Sequence, residues 1–153
     1  MIIKSEGASV MKVDTILVPV DGSEGSLLAI DTAKAIAQKF DSKIVLIHVV
    51  DVGTRGTMHE FYSYDPVVEE ALIKRGEKLL DKEALKFEGM KVEKISLKGQ
   101  AGDGIVTYAD ENPVDLIVMA TRGMTRVRRF FVGSVTNYVV HHSKVPVLAI
   151  PVE

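Results

Sequence analysis

The residue types most capable of chemistry concentrate between Val114 and Asn137. Leu116 to Met119 is an apolar run, the following loop is basic and punctuated by Gly123, and Gly133-Ser134-Val135-Thr136 then opens a segment of helical character. A helix that begins there exposes N–H groups with no partner inside the helix, and its aligned peptide dipoles make that end electropositive. Gly133 lets an oxyanion come close to the backbone, while Ser134 and Thr136 add hydroxyl donors. Together these types support the binding of phosphate. Arg122, Arg126, Arg128 and Arg129 concentrate positive charge just before this cradle, in a chain whose net charge is -2. They face an anion or a partner, or else form a solvated loop, since only some of the four can point at one ligand.

Asp21, in the turn Asp21-Gly-Ser-Glu-Gly-Ser26, is the second candidate. A carboxylate there either accepts hydrogen bonds from ligand hydroxyls or serves the turn and the helix cap. Other chemistries lack their residues. The first strand-to-helix turn has its glycines at the wrong spacing for a dinucleotide fingerprint, and no G-K-[ST] exists for a P-loop. Ser134 does not stand in a G-x-S-x-G elbow. There is no cysteine, which removes disulfides, thiolate metal sites and cysteine nucleophiles. The four histidines make no metal pattern, because His141 and His142 are adjacent and would point to different sides of a helix. No catalytic residue and no metal ligand is assigned.

The elements that must position these groups follow from periodicity. Thr15 to Val20 is an apolar, β-rich run, and Ser23 is a suitable cap for the helix after it. Ala29, Ala33, Ile36 and Phe40 make one apolar face of that helix. Lys43 to Val50 is too continuously apolar to keep a solvent face, as expected of a strand covered on both sides. Asp51 to Asp65 breaks every pattern and reads as a long, mobile loop carrying Phe61, Tyr62 and Tyr64. A helix is expected from Pro66, with Leu72, Gly76, Leu79, Leu80, Ala84 and Phe87 as its stripe and Glu88-Gly89 as its end. Val92 to Leu97 alternates as a strand near an edge, and Asp103 is expected to cap a short helix reaching Asn112, with Ile105 and Ala109 inward. Leu116 to Met119 follows as a strand. Val135 and Val139 supply the inward face of the last helix, and Val145 to Val152 is a closing edge strand bounded by prolines.

Strand and helix alternate five times, which implies an α/β fold: a single-domain, open, parallel five-stranded sheet with helices on both faces and right-handed crossovers. The expected strand order is 3-2-1-4-5, related to the flavodoxin-like order 2-1-3-4-5. In either order the ligand crevice lies beside the first strand, beyond the carboxyl ends, so Asp21 and the loop after Met119 converge. With 153 residues and 46% hydrophobic content, one core is the expectation: residues 1–11 as a loosely held tail and residues 12–153 as the domain. The balanced charge argues against a nucleic-acid partner. No apolar run approaches the roughly 18 to 20 residues that span a membrane, so a cytoplasmic location without membrane attachment is expected.

From Lys12 to Val152 the chain resembles the universal stress proteins of the nucleotide-binding kind. The family's phosphate signature is a glycine, two residues, a glycine, nine residues, then glycine followed by serine or threonine. Gly123 and Gly133-Ser134 match it, with Ala120 at the first glycine position. Ile16-Leu-Val-Pro-Val-Asp-Gly-Ser23, His48-Val49 and Val145-Pro-Val-Leu148 are also similar to the family, whereas Ala101 stands where a proline is usual. The resemblance implies that Pro19, Asp21, Val49 and Met119 surround the adenine and ribose. It likewise places Gly123, Gly133, Ser134, Val135 and Thr136 around the phosphates, with Ala120 at the first glycine position, and Arg122 joins them by its place just before the cradle. The expected ligand is therefore an adenine nucleotide, ATP, with any Mg²⁺ held through its phosphates. The expected role is a stress-response regulatory module that acts as a homodimer through Val145–Val152 on an unidentified protein partner, with slow or no hydrolysis. A nucleotide-free dimeric scaffold and a weak ATPase are the alternatives.

Overall fold

The computed structural model describes residues 11–52, 65–122 and 132–152. Gly123, Arg126, Arg128, Arg129, most of the 51–65 segment and nearly all of the 1–11 tail lie outside the described residues. Five strands form one sheet: β1 (Thr15–Pro19), β2 (Lys43–Val50), β3 (Val92–Lys98), β4 (Leu116–Ala120) and β5 (Val147–Ile150). All neighbours are parallel and the order is β3-β2-β1-β4-β5. Among the described residues, four α-helices connect them: α1 (Glu24–Phe40), α2 (Pro66–Ala84, continued by a short turn of 3-10 helix to Phe87), α3 (Ala101–Glu111) and α4 (Ser134–His142).

The sheet is covered on both faces, as its apolar strands require. Ile16 and Val18 of β1, Ile44 and Leu46 of β2 and Val118 of β4 pack with Ala29, Ile30 and Ala33 of α1 and with Leu80 and Phe87 at α2. Leu17, Val45, Ile47, Ile117 and Met119 turn to the other face and meet Ile105 and Ala109 of α3 and Val139 of α4. Alternation along each strand thus separates two cores. β3 and β5, at the edges, lack the continuous burial of β4.

Local signals set most helix boundaries. Ser23 has extended dihedrals and its hydroxyl accepts from Ser26 N–H, capping α1. Asp65 caps α2 through Val67 N–H at 2.9 Å, with Pro66 in the first turn. Four expectations are corrected. Phe40 is 61% exposed, because α1 ends there and the chain turns through left-handed Asp41 toward β2; Ala37 takes the last buried position. Leu72 is likewise exposed, leaving Gly76, Leu80 and Glu83 as the buried residues of α2. Asp103 does not cap α3: Gly99 at φ 132 and extended Gln100 start the helix earlier, which leaves Asp103 in the first turn, where its charge still suits the dipole. In α4 the inward pair is Thr136 and Val139, while Val135 is rotated outward.

Candidate functional site

In the order β3-β2-β1-β4-β5, the chain runs outward in opposite directions from β1 and β4, and the crevice between their carboxyl ends is the switch point. A cavity of about 200 Å³ occupies it. It is lined by Pro19, Asp21, Val49, Met119, Ala120, Arg122, Gly133, Ser134, Val135 and Thr136, so every described candidate from the sequence meets in one place. Ser23, Ser26, Ile47, His48, Ala101 and Ile105 also line it and were not among the candidates. For Ser26 there was a signal: a second serine in the turn of Asp21, falling on the sheet-facing side of the helix.

Three helices begin at this crevice, α3 among them with Ala101 in the wall and no side-chain cap, and α1 and α4 differ in how their first turns are satisfied. α1 is closed by its own side chains: Asp21 Oδ1 accepts from Ser23 N–H at 2.9 Å, and Ser23 Oγ accepts from Ser26 N–H at 3.2 Å. α4 has Gly133 as its N-cap and no side-chain cap hydrogen bond. Its first-turn N–H groups, at Ser134, Val135 and Thr136, therefore remain as donors beside the cavity. The end of a helix left in this state attracts an anion.

Gly133 holds α4 against the exit of β4. Its N–H donates to the Thr121 carbonyl at 2.6 Å, and an added Cβ would lie 3.3 Å from that oxygen. Its φ of -61° is open to any residue, so the requirement here is close approach and not left-handed backbone. Thr136 Oγ1 donates to the Ala120 carbonyl at 2.7 Å in a buried position. That bond commits its only hydroxyl proton, so Thr136 anchors the helix and is no hydroxyl donor to a ligand.

Ala120, at the first glycine of the family pattern, has negative φ like every described non-glycine residue but Asp41. Its side chain follows Leu116 and Val118 toward α1, the face opposite Met119 and α4. There α1 offers Gly25, whose added Cβ would stand 2.9 Å from the Ala120 methyl and 2.5 Å from the Arg122 carbonyl oxygen. The missing side chain at Gly25 is what makes room for the methyl at Ala120. Arg122 turns toward β5, where its Nη2 donates to the Val152 carbonyl.

The remaining walls are apolar and aromatic. Val49, Ile105 and Met119 supply apolar surface, and His48 closes the floor. His48 Nδ1 lies 2.7 Å from the Val20 carbonyl, an acceptor only, so that nitrogen carries the proton. α2 presses close behind the ring: a Cβ at Gly76 would come within 2.5 Å of His48 Cδ2. Among the described residues no three His, Asp or Glu side chains come together in a way that could hold a metal ion, and no helix is long and apolar enough to cross a membrane.

The profile of the universal stress protein family matches residues 12–151. A universal stress protein of Methanocaldococcus jannaschii, MJ0531, is 35% identical over 137 residues, covering 88% of this chain and 80% of its own. The structure of universal stress protein UspA from Lactobacillus plantarum superimposes with a TM-score of 0.76 at 29% identity, over 93% of this chain and 99% of that one. A universal stress protein solved in complex with cAMP superimposes with a TM-score of 0.62 at 25% identity, over 92% and 98% of the two chains. On the profile match and the shared fold, this chain belongs to the universal stress protein family.

Proposed function

We propose that the cavity binds an adenine nucleotide, ATP in the first instance, and that its occupancy sets the state of a cytoplasmic, dimeric stress-response module. The observation that carries this reading is the unsatisfied first turn of α4, whose N–H donors border a cavity that also holds the Asp21 carboxylate and the Val49, Ile105 and Met119 slot. The donors suit phosphate, the carboxylate suits ribose hydroxyls and the slot suits a purine. A Mg²⁺ that accompanies ATP would neutralise phosphate charge and be held through the phosphates. A relative solved with cAMP lends the same support.

Turnover is slow or absent in this reading. Phosphoryl transfer calls for a residue that orients water and a cation fixed on the terminal phosphate. Asp21 is tied to Ser23 N–H, and Arg122 reaches the Val152 carbonyl. Equilibrium dialysis of ATP, ADP and AMP against protein prepared without nucleotide tests the binding. Absence of retention for all three would leave the nucleotide-free scaffold, and turnover near about 1 per second, the low end for kinases, would make the protein an ATPase. The scaffold reading draws on Ala120, which lines the cavity with a methyl group where the family has a glycine. That methyl is directed at Gly25 and leaves the α4 donors uncovered.

A further inference from the structure

The two residues after β4 join the start of α4 to the end of the last strand. Thr121 N–H donates to the Ile150 carbonyl at 2.8 Å, its carbonyl accepts from the Gly133 N–H at 2.6 Å, and its hydroxyl accepts from the Val152 N–H at 3.3 Å. Arg122 adds a further link, from Nη2 to the Val152 carbonyl. Its backbone also packs against two helix starts. A Cβ built at Gly133 would lie 3.6 Å from Arg122 Cα, and one built at Gly25 would lie 2.5 Å from the Arg122 carbonyl oxygen and 3.1 Å from Val152 Cγ2. The α4 N-cap and the exit of β5 therefore share one support.

The exit of β5 is held differently from the strand itself. Pro151 has no N–H to give, and the strand pairing with β4 stops at Ile150. Val152 is retained instead by the Thr121 hydroxyl, the Arg122 guanidinium and its packing beside Gly25. A segment held by so few bonds outside the ladder opens locally at a small cost in free energy. We propose that Ile150–Val152 is a strap whose docking is coupled to occupancy of the cavity. An anion on the first-turn N–H groups of α4 fixes that helix start, and with it the bond from Gly133 to Thr121 and the platform on which the strap docks. Coupling is reciprocal, so a docked strap holds the α4 donors in the geometry that binds. The strap continues the β5 edge, and the state of the cavity thereby reaches the edge expected to meet a second copy. The inference rests on the nucleotide reading above and adds the route by which occupancy leaves the site.

Thr121 and Val152 are not among the residues that line the cavity, so substitutions there probe the strap without touching the ligand. Amide hydrogen exchange of the full chain with and without ATP, and calorimetric titration of Thr121→Val and Val152→Gly with ATP, test the coupling. ATP should slow exchange at the wild-type Val152 N–H by about five- to tenfold, the low end for coupled sites, and each substitution should weaken ATP binding by up to the same factor. Retained protection of the β1 and β4 amides shows that the variants are folded. Val152 exchange that ATP leaves unchanged, or folded variants that bind ATP as tightly as the wild type, overturns the coupling while leaving nucleotide binding intact. Failure of the wild type to bind ATP overturns the nucleotide reading itself, and the coupling with it.

Discussion

Side chains around α4 divide into those that build the site and those free to act in it. Thr136 spends its hydroxyl on the Ala120 carbonyl and Gly133 spends its N–H on the Thr121 carbonyl, so both hold the helix in place. Ser134 is exposed to the cavity at the first helical position. Ser134→Ala should therefore weaken ATP binding by about 1 to 2 kcal/mol, the loss of one hydrogen bond to a charged group, without changing the melting temperature. Calorimetry with ATP and with adenosine separates the effect: a loss of the same size for adenosine would place Ser134 away from the phosphates. Gly133→Val should act differently. Its side chain would meet the Thr121 carbonyl and displace the helix from β4, so binding should vanish together with a drop in stability. A Gly133→Val protein that keeps its wild-type melting temperature but loses ATP would show that the glycine serves ligand approach alone.

At the scale of elements, the contact between α1 and the end of β4 fixes the width of the crevice. Gly25→Ala would put a methyl 2.5 Å from a backbone oxygen, which cannot be relieved by rotating a side chain. The penalty of such overpacking, about 1 to 3 kcal/mol, outweighs the gain of at most about 1 kcal/mol from replacing a helical glycine. Gly25→Ala should thus lower the melting temperature by about 2 to 4 °C per kcal/mol lost, and Gly25→Ala with Ala120→Gly should recover part of it. No recovery in the double variant would mean that the Arg122 carbonyl, not the Ala120 methyl, is the decisive neighbour. Such complementarity explains what the sequence could disclose. β2 ran over the residues its apolar run marked, Lys43–Val50, and Ser23 and Pro66 announced their helices, because strand periodicity and helix caps are local. The parallel sheet and the convergence of Asp21 with Ser134 were legible from the alternation of elements, whereas the observed order is one of two that this alternation allowed. Phe40 misled, since periodicity continues to the last residue of a helix whether or not sheet lies beneath it. Gly25 and Ala120 are far apart in the chain, and no spacing rule joins them. Ser26 was marked only as a second serine on the sheet-facing side of its helix, and that its hydroxyl lacks a partner shows only in the packed structure.

For the whole molecule, the open question is what becomes of the β5 edge. The Ile117 and Thr121 N–H groups donate to the Pro146 and Ile150 carbonyls, so backbone groups of that parity face β4, and those of Val147 and Ala149 face the open edge. Pro146 and Pro151 flank this short outward set and limit how far another strand can pair with it. Two copies related by a two-fold axis could join their β5 edges by about four hydrogen bonds, worth about 2 to 6 kcal/mol in all at the usual net value. Association costs about 4 to 15 kcal/mol, so edge pairing alone is insufficient and side chains must contribute. Leu148, 38% exposed on β5, is the nearest apolar candidate. The homodimer expected at Val145–Val152 thus needs both parts, and two substitutions separate them. Ala149→Pro removes an outward N–H while sparing the bonds to β4, whereas Leu148→Lys keeps the backbone edge and places charge in the apolar contact. In light scattering at micromolar concentration, the wild type should show twice the 16.7 kDa chain mass and each variant should shift toward the single chain. A wild type of single-chain mass would refute the dimer, and a dimer indifferent to both substitutions would place the interface on another surface.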